Sequence, residues 1–176
     1  FSYFRDSGDA LISFPLFGAC FQEETEKKQY RVEYRMTNQI LNGEYAEKGE
    51  YHQDPDRDWK YYPVYLEKMR RVRSYLENCI NLKILDLGCG EGVIVNEYRS
   101  KGYDILGVDL NYESSYVRCA SILDTGIPSE SIDLVLCLDV IEHLNPEEQD
   151  QALLEIKRML KPGGIFYATI PNLAHL

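Results

Sequence analysis

From residue 83 onward, short apolar runs of strand length alternate with stretches in which apolar residues recur every three or four positions. Continuous apolar runs suit strands buried on both faces, and the periodic stretches between them suit the helices that cover those faces. The predicted strands are Lys83–Leu87, Tyr103–Leu110, Tyr116–Ser121, Ile132–Leu138 and Ile165–Ile170. Val93, Ile94 and Tyr98 mark a helix that stops at Gly102. Asn145-Pro146-Glu147-Glu148 starts another, with asparagine as N-cap, proline at the first position and acids against the positive end of the dipole. Leu153, Ile156 and Leu160 are expected to face the sheet, and Pro162-Gly163-Gly164 to end that helix. Between Gln53 and Ile80 the pattern is also helical, with Tyr65, Met69, Val72 and Leu76 stacked on one face. The βαβ rhythm predicts an α/β fold on a parallel sheet.

Residues 1–52 read as a separate N-terminal segment ahead of a domain spanning 53–176. Ala10 to Phe21 is apolar but interrupted by Pro15 and Gly18, while Tyr30, Val32, Tyr34 and Met36 alternate with polar residues as a half-buried strand does. The charged stretch Glu23 to Lys28 between them could turn a hairpin. The chain starts at Phe1 and stops at Leu176, soon after the fifth predicted strand, so it reads as a piece of a longer protein.

The densest chemical signal is Lys83-Ile-Leu-Asp-Leu-Gly-Cys-Gly-Glu-Gly92. Gly88, Gly90 and Gly92 let the backbone turn through positive φ and approach a ligand closely, and the following helix points its N-terminal amides back at the turn. A dinucleotide fingerprint would need glycine at 93 or 95, and both positions hold valine; a P-loop would need Gly-Lys-Ser/Thr, which is absent. With Asp86 and Glu91 beside the turn, the site suits a cationic or zwitterionic ligand better than a polyphosphate. Asp109 ends the second strand 21 residues after Gly88, where a carboxylate can accept both hydroxyls of a ribose.

Asp-Leu-Gly-Cys-Gly-Glu-Gly and Gly-Val-Asp-Leu together resemble motifs I and II of class I S-adenosylmethionine-dependent methyltransferases. Ile-Asp-Leu-Val-Leu-Cys-Leu-Asp-Val-Ile-Glu-His-Leu and Leu-Lys-Pro-Gly-Gly resemble motif IV and the turn before strand five, so the likeness covers roughly residues 60 to 171. It implies a three-layer Rossmann-like sandwich with strand order 3-2-1-4-5 and S-adenosylmethionine as methyl donor. It also implies two final antiparallel strands, which are missing after Leu176 unless an N-terminal hairpin replaces them. The cofactor set it implies is Asp86, Gly88, Cys89, Gly90, Asp109, Leu110, Leu138 and Tyr61. Many relatives end strand three with an aspartate for the adenine amine; here Ser121 holds that place, with the Ile122 backbone and side chain as further adenine contacts. Trp59, Tyr61 and Tyr62 either fold over the sulfonium or plug the space under the helix.

Asp139, Glu142 and His143 follow the fourth strand at i, i+3 and i+4. They resemble the Glu-x-x-Glu-His of ubiquinone-pathway O-methyltransferases and small-RNA 2′-O-methyltransferases, which forms part of a divalent metal site. Three roles stay open for His143: metal ligand with Asp139 and Glu142, general base for a hydroxyl, or pocket lining.

Composition narrows the partners. A net charge of −10 argues against a nucleic-acid backbone. Lys60, Lys68, Arg70, Arg71 and Arg73 cluster, and read first as a solvated helix face rather than an anion patch. Five scattered cysteines without a C-x-x-C pair read as reduced thiols in a cytoplasmic protein, and no apolar run is long enough to predict a membrane span. The expected activity is methyl transfer to an oxygen or nitrogen of a small-molecule acceptor. The alternative is a non-catalytic S-adenosylmethionine-binding module within a larger protein.

Overall fold

The computed structural model describes residues 52–171. The order is α1 (Tyr62–Leu76), β1 (Lys83–Leu87), α2 (Val93–Ser100), β2 (Asp104–Asp109), β3 (Val117–Cys119), β4 (Ile132–Leu138), a 3₁₀ turn (Ile141–His143), α3 (Pro146–Met159) and β5 (Leu160–Thr169). All strand pairs are parallel and the sheet runs β3-β2-β1-β4-β5, the expected order. The expected N-terminal hairpin lies outside the described residues, which include only His52 of the segment 1–52, and the strands expected after the fifth also lie outside them. Among the described residues, no helix is long and apolar enough to cross a membrane.

Strand alternation splits the core in two. Ile84, Ile105, Leu134, Leu136 and Tyr167 face Met69, Val72 and Leu76 of α1 and Ile94, Val95 and Tyr98 of α2. Leu85, Leu87, Val108, Val135 and Cys137 face Ala152, Ile156 and Met159 of α3. A strand whose successive side chains all find an apolar partner must lie in the middle layer of three, and β1 and β4 do.

Several boundaries differ from expectation. α1 begins at Tyr62, not near Gln53, because Pro63 sits in its first turn, where a missing N–H costs nothing; residues 56–62 form turns, with Tyr62 N–H donating to the Trp59 carbonyl at 2.9 Å. α3 starts as predicted, with a capping box: the Asn145 side chain accepts from Glu148 N–H at 2.9 Å and the Glu148 carboxylate from Asn145 N–H at 3.0 Å. Its buried face, however, is Ala152, Ile156 and Met159; Leu153 is turned toward solvent and Leu160 opens β5. Pro162-Gly163-Gly164 lies inside β5 as a bulge, since Ile132 pairs with Leu160 while Leu134 pairs with Ile165. Gly163 takes φ +80° there.

Candidate functional site

β1 ends at the point where the strand order reverses between β1 and β4, the crevice in which open α/β sheets hold ligands. The glycine turn is stitched to β2: Gly88 N–H donates to the Val108 carbonyl at 2.7 Å and Gly90 N–H to Asp109 Oδ2 at 2.9 Å. Gly88, Gly90 and Gly92 have φ of +66°, +56° and +73°. A Cβ on Gly88 would stand 2.4 Å from Val140 Cγ2, and one on Gly92 would stand 2.7 Å from Val117 Cγ2. Glycine is therefore required twice over, by dihedral and by space.

Asp109 is buried at the end of β2, and its second oxygen accepts from Asn111 N–H at 2.9 Å. Both carboxylate oxygens are thus aimed by the backbone, each keeping acceptor capacity for a ligand. Leu110 beside it leaves an apolar side chain 62% exposed. Asp86, 4% exposed at the tip of β1, faces the same crevice. Burial, then the charge of Asp109, pushes its carboxyl up to about 7, against the pull of the Lys68 ammonium.

Ser121 Oγ accepts from Leu123 N–H at 3.1 Å, so the hydroxyl is held in a local turn and keeps its proton to donate. Ile122 departs from expectation: its side chain packs into the core beside Leu85 and Val108, leaving only its backbone for an adenine ring. Leu138, the last residue of β4, packs partly against the α1–α2 side of the core. Tyr61 is half-buried at the start of α1, in edge contact with Trp59 at 5.9 Å. Trp59 is itself well exposed and lies 6.4 Å from Tyr65, which argues against a plug under the helix.

Cys89 holds its place by its backbone. Its sulfur sits where a Cβ on Gly107 would come within 2.4 Å, and burial raises the thiol well above its ordinary value, so no thiolate is available for nucleophilic chemistry.

The expected metal trio is not gathered. Asp139 has φ +57°, and its carboxylate accepts from Lys68 Nζ at 2.6 Å and from Thr169 Oγ1 at 2.7 Å. Among the described residues no group of three or more His, Cys, Asp and Glu side chains is placed to hold a metal ion. The reason is the left-handed backbone at Asp139, which breaks the helical turn that would have put i, i+3 and i+4 on one face. Glu142 is half-buried with Oε2 unbonded, and burial raises its carboxyl above the ordinary range. His143 lies exposed on the 3₁₀ turn.

Sequence reasoning missed three contributors, Lys68, Thr169 and His52, and placed Glu91 beside the turn without its partner. The Glu91 side chain is fully buried beside the glycine turn and accepts from both His52 N–H and, at 2.8 Å, its Nδ1. Nothing local announces that pairing across 39 residues. Lys68 did carry a signal, because it stands at i+3 from Tyr65 and i−4 from Val72, on the apolar stripe rather than the wet face. Of the basic cluster, Arg70 and Arg71 pair with Glu67, and Arg73 with Glu97, all away from the crevice.

Residues 85–168 match the family described as methyltransferase domain. The ubiquinone biosynthesis O-methyltransferase of Aliivibrio fischeri (strain ATCC 700601 / ES114) is 28% identical over 158 residues, 77% of this chain and 66% of that protein. Its counterpart in Photorhabdus laumondii is 31% identical over 104 residues, 50% of this chain and 42% of that one. The chain thus spans two thirds or less of the length of these relatives. Among solved structures, a protein of Pyrococcus horikoshii OT3 superposes with a TM-score of 0.59 at 21% identity, over 76% of this chain and 64% of the other. A SAM-dependent methyltransferase from Archaeoglobus fulgidus does so with 0.52 at 24% identity, over 64% and 59%. These two likenesses speak to the fold. Strand order, glycine turn, strand-two acid and family match agree: the chain carries a class I S-adenosylmethionine-dependent methyltransferase domain.

Proposed function

We propose that this protein transfers the methyl group of S-adenosylmethionine to a hydroxyl oxygen of a small-molecule acceptor. The observation that carries the cofactor half is the glycine turn bonded to Asp109, a left-handed backbone held against the end of β2 at the switch point of the sheet. The turn's backbone and Asp86 would hold the amino-acid end, Asp109 the ribose, and Ser121 with the Ile122 backbone the adenine. When bound, the cofactor supplies a methyl group already activated by a positive sulfur. The chain's work is then to align the acceptor with the S–CH₃ axis, and alignment can lower a barrier by about 7–11 kcal/mol.

Oxygen is favoured over nitrogen by the carboxylates Asp139 and Glu142 at the acceptor end. An amine there is held as unreactive ammonium, whereas a hydroxyl gains groups that can take or relay its proton. The relatives named for O-methyl transfer in ubiquinone biosynthesis support that choice.

Calorimetry on the full-length protein tests the cofactor half. S-Adenosylhomocysteine should bind, NAD, NADP and ATP should not, and Asp109→Ala should weaken binding by about 1.5–3 kcal/mol, the range for hydrogen bonds to a charged group. Binding of a dinucleotide without S-adenosylhomocysteine defeats the reading. Profiling of hydroxyl and amine acceptors with labelled methyl donor then tests the acceptor half, and labelling of amines alone would reverse the assignment to oxygen.

A further inference from the structure

Lys68 projects from the inner stripe of α1 across the carboxyl ends of the strands. Its ammonium lies 2.6 Å from Asp139 Oδ2, just past β4, and Asp139 Oδ1 accepts from Thr169 Oγ1 at 2.7 Å, at the end of β5. The Thr169 carbonyl in turn accepts from Asp139 N–H at 3.0 Å. Asp139 is therefore fixed from three sides in a left-handed conformation that non-glycine residues adopt only where surroundings impose it. Lys68 also acts electrostatically on Asp86 across the switch point and on Glu142.

This arrangement sits on the β4–β5 side of the crevice. The cofactor residues Asp109, Leu110 and Ser121 line the β2–β3 side, so the ammonium stands where an acceptor would enter rather than where the nucleoside would lie. An ammonium has three N–H donors, and Asp139 takes one of them. Lys68 is 19% exposed at its side chain, enough for a ligand to reach. The other described lysines and arginines in ion pairs are engaged elsewhere: Arg70 and Arg71 bind Glu67, Arg73 and Lys101 bind Glu97, Lys83 and Arg99 meet Asp104, Arg158 binds Glu155 and Lys161 binds Asp133.

We propose that Lys68, oriented by Asp139 and Thr169, binds the acceptor's hydroxyl oxygen and stabilises it as an oxyanion, selecting acceptors with an acidic hydroxyl of phenol or enol type. The proposal rests on the methyl-transfer reading above. In the step it serves, the acceptor O–H bond breaks and its proton passes to solvent, while the oxygen lone pair forms the O–CH₃ bond as the C–S bond breaks and sulfur becomes a neutral thioether. Lys68 keeps its proton throughout. A single positive charge at hydrogen-bond distance lowers the pH at which a bound hydroxyl ionises, and a partly buried site screens that effect less than water does.

The test uses 4-nitrophenol, whose ionisation is read from its absorbance, on the full-length protein saturated with S-adenosylhomocysteine. Bound to the unaltered protein, the probe should ionise about 1 to 3 pH units below its value in water, and Lys68→Met should abolish the shift while Lys68→Arg retains part of it. An unshifted probe on the unaltered protein, or an equal shift in Lys68→Met, overturns the proposal. If Lys68→Met fails to fold by thermal melting, the unaltered protein still decides: at pH 8 it should bind 4-nitrophenol at least about tenfold tighter than the uncharged isostere 4-nitroaniline, and equal affinities count against the role. Calorimetry with S-adenosylhomocysteine alone separates the two levels, because loss of that binding sinks the methyltransferase reading, whereas intact binding with an unshifted probe sinks only the role of Lys68.

Discussion

Cofactor affinity should rise with pH through neutrality, and Asp86 is the reason. Its carboxyl is pushed up to about 7, first by burial and then by the Asp109 charge, with Lys68 opposing. At pH 6 only about one such carboxyl in ten is ionised, and at pH 8 about nine in ten. S-Adenosylmethionine presents cationic groups to this end of the site, so it should bind the ionised form and draw a proton off the rest. The apparent dissociation constant should therefore weaken about tenfold between pH 8 and pH 6, roughly 1.4 kcal/mol. Titration calorimetry in two buffers of different ionisation enthalpy measures both quantities, and proton release should approach about one per site at pH 6 and fall to about a tenth at pH 8. Asp86→Asn should flatten the profile and bind weakly at every pH. A flat profile in the unaltered protein, or the same slope in Asp86→Asn, refutes the reasoning. The sign for stability runs the other way: a carboxyl raised above its ordinary 3.8 favours the folded state most below that value, and this contribution is lost as pH climbs toward about 7 in the ligand-free protein.

Two further outcomes follow from packing and electrostatics. Gly88→Ala should cost about 2–4 kcal/mol in urea unfolding, because a left-handed alanine is strained and its Cβ would stand 2.4 Å from Val140 Cγ2, whereas Gly102→Ala, at φ +88° with nothing within 4 Å, should cost only about 1–2 kcal/mol; equal losses would show that the clash at Gly88 is relieved cheaply. Glu155 ties α3 to the β3–β4 connection: burial opposes its charge, but Arg158 and the side chain and N–H of Thr125 outweigh burial and hold it down at about 2. Glu155→Gln should therefore lose about 1–3 kcal/mol at pH 7, and the deficit should shrink as pH falls from 4.5 toward 2, where the native carboxylate is itself protonated; a deficit unchanged by acid would contradict the assignment.

What could be read from the chain alone was whatever neighbours within about ten residues decide. The β1 apolar run, the three glycines and the Asn145–Glu148 capping box are set by backbone dihedrals and bonds that close over three or four positions, so residue type and spacing suffice. Strand order was legible because the glycine turn and the strand-two acid resemble a family whose sheet runs 3-2-1-4-5, the order observed. The inward face of α3 was not: leucines at 153 and 160 looked like the stripe, yet Ala152, Ile156 and Met159 are buried, because the phase of a helix is chosen by the sheet it lands on and a small alanine lets it approach closely.

The acceptor end was decided entirely at long range. Asp139, Glu142 and His143 have helical spacing, but Asp139 turns left-handed and binds Thr169, 30 residues on, and Lys68, 71 residues back. Proximity in sequence favours the first grouping, while the sheet brings the ends of β4 and β5 side by side beneath α1 and makes the second geometrically available. Coulomb energy then selects it, since an ammonium against a half-buried carboxylate outweighs the mutual repulsion of two neighbouring acids. Local spacing could place charges along the chain; only the packed sheet could decide which of them meet, because burial and dielectric belong to the assembled fold and not to any one segment of it.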